Sequence, residues 1–317
     1  MGMKSSHLVT IVHACMRDGS GGSPTAVLED APLTDAERCR IPALMGTSHA
    51  VFVSESVSES VDDSRGDDAP VSLRFFTTAG ELPACGHGTV AALAFLAARA
   101  KGAASAASAA SAGENMQAEY RATLRTSARV FEGWANRDGD SIDAAFEVGA
   151  VDLREPTADE CGLVLPALGL HADDEVLGGG VRVASVGRER LLVPVPTRSA
   201  LEALSPDFDR LRAACDEFGF LGCYVYSAPT ATGRIAARMF APSIGVPEDI
   251  ANANSTACLA AHLAGQGVTE IAVDMGDWLG SPATITAAAV PGTPGRLIHL
   301  GGAARLGPDL PVYVSVG

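Results

Sequence analysis

The 317-residue chain of 32.3 kDa is long enough for two domains that each bury a core of their own. A formal charge of −15, with 23 Lys and Arg against 38 Asp and Glu, argues against a nucleic-acid or acidic-membrane partner, which would require clustered cations. Seven cysteines at irregular spacing, without a CxxC pair, exclude a secreted disulfide framework and a structural zinc site.

In chain order, residues 7–14 alternate and predict a first strand. The turn-rich run Asp18-Gly19-Ser20-Gly21-Gly22-Ser23-Pro24 leads from it to a second strand over 25–28. Residues 43–53 predict a further strand entered through a polar loop, and 54–70, rich in Ser and Asp, a solvated surface loop. Residues 73–98 set a strand, a polar loop, the cluster Cys85-Gly86-His87-Gly88-Thr89 and an apolar helix in immediate succession. The alanine-rich tract 101–113 reads as a continuation of that helix or a flexible connection. Strands return from Tyr120. A short proline-bounded helix is predicted over 156–168, a hairpin over 183–195, a helix near 207–218 and a strand over Cys223–Ser227. Residues 274–290 and 296–306 read again as strand and glycine turn. The N-terminal stretch carries one Lys and no continuous apolar run, and nowhere do eighteen apolar residues follow one another. A cytoplasmic, unexported protein is therefore expected.

The cluster at Cys85 builds an anion site. Gly86 and Gly88 let a ligand approach the first turn of a helix, whose unsatisfied amides and positive dipole end favour a carboxylate or phosphate; His87 stands where it could act on that ligand. The pattern recurs after Arg238: Arg and Phe two apart, a Pro/Gly/acidic loop, a small polar cluster and an Ala/Leu helix. Eleven positions separate Arg74 from Cys85, and eleven separate Arg238 from Asp249. Two related halves, each ending a loop at a helix N-terminus, are expected to face one cleft and grip a small anion from both sides. No GxGxxG, Walker or metal-ligand spacing occurs, so neither cofactor nor metal is expected.

In these motifs the sequence resembles the PhzF-like isomerases, which share the fold of diaminopimelate epimerase. The family's FTP-x-x-E and CGHAT signature is met by Phe76-Thr77-Thr78, Glu81 and the Cys85–Thr89 cluster. Its second signature is met in part, by Phe240, Pro242, Gly245, Glu248 and Asp249, while Ile250, Asn252, Ala253 and Asn254 depart from it. The early G-N-P-A-A-V appears as Gly22-Ser23-Pro24-Thr25-Ala26-Val27, and the late turns as Leu279-Gly280-Ser281-Pro282 and Gly301-Gly302. The family's N-L-S-E-T-x-F segment, whose Glu is the usual proton-transferring base, reads here Gly46-Thr47-Ser48-His49-Ala50-Val51-Phe52, so His49 occupies the Glu position. An ordinary imidazole, with a pKa of about 6.5, can make the same transfer.

The resemblance implies an α+β fold of two pseudo-repeated domains, each a curved, mostly antiparallel sheet or barrel around a central helix. It divides the chain into 1–122, with 300–317 returning to it, and 123–299. It implies a cofactor-independent isomerase that shifts a proton and a double bond in a small unsaturated carboxylate metabolite, in antibiotic-type biosynthesis, acting as a homodimer. His49, His87 and Asp249 are the catalytic candidates; Ser23, Cys85, Gly86, Gly88, Thr89, Asn252, Asn254 and Ser255 are the substrate-binding ones. Two alternatives stand beside it: an amino-acid racemase or epimerase of the same fold, and a binding protein that has lost catalysis. A two-thiol racemase lacks its second thiol, because the position near Asn252 holds none and Cys258 lies about two turns into the helix.

Overall fold

The computed structural model describes residues 4–55, 70–107, 119–170, 180–292 and 297–315. The chain forms two compact units, Met1–Glu147 with Gly301–Gly317, and Val148–Leu300. No helix among the described residues is long and apolar enough to cross a membrane.

The first unit contains β1 (Lys4–Met16), β2 (Ser23–Glu29), α1 (Asp35–Arg38), α2 (Ile41–Met45), β3 (His49–Glu55), β4 (Val71–Thr77), β5 (Gly80–Leu82), α3 (Gly86–Ala107), β6 (Tyr120–Arg125), β7 (Val130–Asp138) and β8 (Ser141–Val148). Neighbouring strands pair antiparallel except β2 with β3 and β4 with β6, which run parallel. The later strand that follows Leu300 pairs with both β1 and β8 and so closes the ring β1-β2-β3-β4-β6-β7-β8. Inside it lies α3, packed against β1, β2, β3, β4 and β7. Its run Val90-Ala91-Ala92-Leu93-Ala94 is fully buried, so this helix is apolar all round, as a helix enclosed by sheet must be. Each of its larger aliphatic side chains contributes about 1.5–3 kcal/mol by leaving water. Small residues at Ala91, Ala92 and Ala94 let the strands close around it.

The second unit contains β9 (Asp152–Arg154), α4 (Ala158–Ala167), β10 (Arg182–Ser185), β11 (Glu189–Val195), α5 (Arg198–Glu202), α6 (Phe208–Phe218), β12 (Cys223–Ser227), β13 (Arg234–Ala241), β14 (Val246–Asp249), α7 (Ala253–Ala264), β15 (Glu270–Met275) and β16 (Ala283–Ala289). The strand β17 (Ile298–Ser315) then returns to the first unit from Gly301. Its parallel pairs are β11 with β12 and β13 with β15, with antiparallel pairs between (β12 with β13) and beyond (β15 with β16). That is the order found from β2 to β7, and α7 occupies the place of α3, buried from Ser255 to Leu263. The helices α1 and α2 between β2 and β3 are matched by α5 and α6 between β11 and β12. There the second unit builds an outer core layer of Leu201, Leu211, Cys215, Phe220 and Phe240, on which α4 also packs.

The repeat extends to side chains. Arg74 makes two hydrogen bonds to Glu81, at 2.9 and 2.6 Å, and its guanidinium lies 5.0 Å from the Phe76 ring centre. Arg238 does the same with Glu248, at 2.9 and 2.8 Å, and lies 4.7 Å from Phe240. The equal spacing read from the sequence is not the structural equivalence, however. Glu81 follows Arg74 by seven positions and Glu248 follows Arg238 by ten, and the helices likewise begin 12 and 15 positions on, at Gly86 and Ala253. A 3-10 turn, Pro242–Ile244, takes up the three additional residues. Cys85 therefore corresponds to Asn252, and not to Asp249.

Three sequence expectations change. The strand predicted over 43–53 begins only at His49, because Pro42 opens the short helix α2 and Gly46, at φ +66°, closes it. The first unit extends past residue 122 to Glu147, because β6, β7 and β8 form the consecutive antiparallel pairs that complete its ring. α3 continues into the alanine tract as far as Ala107; residues 108–113, like 56–69 of the acidic stretch, lie outside the described residues.

One turn rests on a single glycine. Gly276 sits between β15 and β16 at φ +74°, and a Cβ there would stand 2.1 Å from the Ser281 carbonyl oxygen. Gly276→Ala is expected to destabilise the fold by about 2–3 kcal/mol through left-handed strain and the backbone overlap. A urea melt shifted by less than a tenth of that would contradict the assignment.

Candidate functional site

Three of the sequence candidates meet in the first unit. Parallel pairing aligns Thr25 with His49, which puts His49 at the leading end of β3, and α3 begins at Gly86 with His87 in its first turn. The Nε2 of His87 lies 3.1 Å from the Nδ1 of His49, with the ring centres 4.5 Å apart and the planes at 80°. On one side the His49 Nδ1 is 2.8 Å from the Ser48 hydroxyl; on the other the His87 Nε2 is 3.5 Å from the Cys85 sulfur. The four groups form a continuous chain, Ser48, His49, His87 and Cys85, built from residues 38 positions apart in sequence. His49, Cys85 and His87 are 9%, 6% and 3% exposed, so the contacts among these three are shielded from bulk water, while Ser48 at the other end of the chain is exposed.

A neutral imidazole has one N–H and one lone pair, so the nitrogens that face each other at 3.1 Å must differ in protonation. Two arrangements satisfy the chain. Either His87 donates to His49, or His49 donates to the one lone pair of His87 while Cys85 turns its S–H away. When the pair holds one further proton, taken up at the outer nitrogen of either ring, the proton between the rings passes from one to the other without moving a heavy atom, which is what a proton-carrying pair needs.

The surroundings hold these groups in place. The Thr47 hydroxyl donates to the His49 carbonyl at 2.9 Å, fixing the entry to β3. The Cys85 carbonyl accepts from the Thr89 amide at 2.9 Å and its hydroxyl at 2.8 Å, so the first intrahelical bond starts only at Thr89. The amides from Gly86 to Gly88 precede that bond and lie at the positive end of α3. Gly88 also permits a close approach, since a Cβ there would come within 3.0 Å of both the Cys85 sulfur and the Phe75 ring. Ser23 begins β2; its hydroxyl is buried and makes no hydrogen bond among the described residues. Ser48 was not among the sequence candidates. Its agreement with the Ser of the N-L-S-E segment is the signal that could have found it.

The remaining candidates gather in the second unit. Asn252, and not Asp249, caps α7, its side-chain oxygen accepting from the Ser255 amide at 3.0 Å. Asp249 in turn accepts from the Asn252 side-chain amide at 3.0 Å and so orients the cap. Ser255 is fully buried with its hydroxyl turned to the Met239 sulfur at 3.6 Å, while Asn254 is half-buried. Cys258 is fully buried as well. Burial pushes its thiol up, against the opposing influence of the Arg190 guanidinium 3.5 Å away, which leaves it a neutral core residue. Burial likewise raises Tyr224, whose hydroxyl meets Thr256 at 2.7 Å.

The family model described as phenazine biosynthesis-like protein matches residues 12–292. The chain belongs to the phenazine biosynthesis-like family. An isomerase from Deinococcus radiodurans, itself described as uncharacterised, is 28% identical over 305 residues, covering 91% of this chain and 88% of that one. The trans-2,3-dihydro-3-hydroxyanthranilate isomerase of Pseudomonas fluorescens is 28% identical over 268 residues, or 83% and 82% of the two chains. Among solved structures, a phenazine biosynthesis protein from Bacillus anthracis superposes with a TM-score of 0.75 at 18% identity, over 97% and 99% of the chains. This phenazine biosynthesis-like protein is an isomerase, in the broad sense that includes epimerases.

Proposed function

We propose that the protein is a cofactor-independent isomerase that moves a proton along a small, unsaturated, carboxylate-bearing metabolite, with His49 as the group that takes and returns the proton. The observation that supports this most directly is the 3.1 Å contact between the buried imidazoles of His49 and His87 beside the amide end of α3. In the reaction, His49 removes a proton from a saturated carbon next to the double bond. The electron pair left behind spreads into the conjugated system and toward the carboxylate. The pair exchanges its proton with solvent, and His49 delivers a proton to the far carbon of that system, so one C–H bond breaks, another forms, and the double bond moves between them. His87 shares the proton while it is carried, and the amides of Gly86 to Gly88 stabilise the developing negative charge. The name of the Pseudomonas fluorescens relative supports an unsaturated amino acid as the substrate class, and the description of the family supports a place in biosynthesis.

A second reading follows from Cys85, whose sulfur lies at a helix N-terminus 3.5 Å from an imidazole that can accept its proton. It makes the protein an epimerase working on an α-proton. Turnover in deuterated water separates the two. Trans-2,3-dihydro-3-hydroxyanthranilate is the first probe for the isomerase, and deuterium at the newly saturated carbon is the expected result. Label at the α-carbon of an amino acid with inversion would favour the epimerase. A protein that binds these acids without exchange at any carbon would overturn both readings.

A further inference from the structure

The same three groups have a second chemistry. The ring nitrogens of His49 and His87 and the sulfur of Cys85 all lie within 4.8 Å of one another. Two nitrogens bound tetrahedrally to zinc at about 2.0–2.1 Å stand about 3.3 Å apart, and a nitrogen and a sulfur at about 2.3 Å stand about 3.6 Å apart. The observed separations, 3.1 Å between the nitrogens and 3.5 Å from His87 to the sulfur, are close to those values before any ion enters. Only the edge from His49 to Cys85, bounded by 4.8 Å, would have to shorten.

The donor set is selective. Two imidazoles and one thiolate suit zinc-class borderline ions and are poor partners for magnesium or calcium, which require oxygen ligands. Three protein ligands leave a fourth position for water or a small anion, and the neighbouring amides of α3 favour the latter. The sequence shows no such site, because Cys85 and His87 are one residue apart while the third ligand lies 36 positions before Cys85 on another strand.

We propose that His49, Cys85 and His87 form a tridentate site for a zinc-class divalent ion, and that ion binding and proton transfer exclude one another. Binding takes the lone pairs of both imidazoles and replaces the thiol proton of Cys85, which leaves to solvent. The exclusion rests on the proton-transfer role proposed for the histidines; the binding does not. The site thereby offers a means of switching the enzyme off with trace metal.

Cobalt(II) titrated into the chelator-stripped full-length protein tests the site. One equivalent is expected to produce the thiolate-to-cobalt charge-transfer band together with intense tetrahedral visible bands. Cys85→Ser should abolish the charge-transfer band and His87→Ala should weaken binding at least about tenfold, whereas Cys161→Ser, a half-buried cysteine elsewhere in the chain, should leave the spectrum unchanged. A wild-type spectrum indistinguishable from cobalt in buffer overturns the site, as does a charge-transfer band that survives in a folded Cys85→Ser protein. In parallel, zinc should suppress deuterium exchange in the wild type and EDTA should restore it. A bound cobalt spectrum with undiminished exchange under zinc would overturn the exclusion and the proton-transfer role while leaving the metal site standing.

Discussion

Replacing His49 with Ala is expected to lower turnover by about 10²- to 10⁴-fold with little change in KM, the range lost when a positioned general base is removed. The side chain is held between Ser48 at 2.8 Å and His87 at 3.1 Å, so its loss removes the proton carrier and leaves the amides of α3 untouched. A purely structural role would predict a lower melting temperature with turnover per folded molecule intact. His49→Glu distinguishes the two further. The resemblance places a glutamate at this position, so a carboxylate there should recover part of the exchange that Ala loses, whereas a site that needs only packing should not distinguish the two variants. Undiminished turnover in His49→Ala would remove this residue from the mechanism.

Arg238→Met is expected to destabilise the protein by about 3–5 kcal/mol, because it leaves the Glu248 carboxylate buried without its partner. The side chains of Arg238 and Glu248 are 9% and 10% exposed, and the guanidinium also donates to the Leu201 and Leu204 carbonyls at 3.2 and 3.0 Å. It lies 4.9 Å from the Trp278 ring, which with Phe240 shields it. The repeat supplies its own control. Arg74 and Glu81 have the same geometry but side chains 34% and 32% exposed, so Arg74→Met should cost no more than about 1 kcal/mol. Denaturant melts of the two variants test the difference, and equal losses would refute the argument from burial. Replacing both Arg238 and Glu248 with apolar residues of similar size should recover most of the loss.

Much of this protein is written locally. The glycines and small polar residues from Cys85 to Thr89 mark where a loop ends and an apolar helix begins, because both requirements act within one turn of the backbone. The second copy of the motif is legible for the same reason, as are strands such as Cys223–Ser227. The loop after Arg238 was harder to read, since a 3-10 turn adds three residues without altering the residue types on either side. Equal spacing therefore pointed to Asp249 where the fold places Asn252 as the helix cap.

What depended on the tertiary structure was contact between distant residues. Nothing near His49 in sequence indicates an imidazole partner; that pairing requires β3 to lie against β2 in parallel and α3 to pass through the closed ring. Nor does composition distinguish the exposed ion pair of one repeat from the buried one of the other, because burial is set by α5 and Trp278 arriving from elsewhere in the chain. By itself the sequence determined the family, the repeated architecture and the residue types of the site. The fold decided which of them touch, because hydrogen bonds and metal chelates are made over about 2–4 Å, a scale set by packing and not by position along the chain.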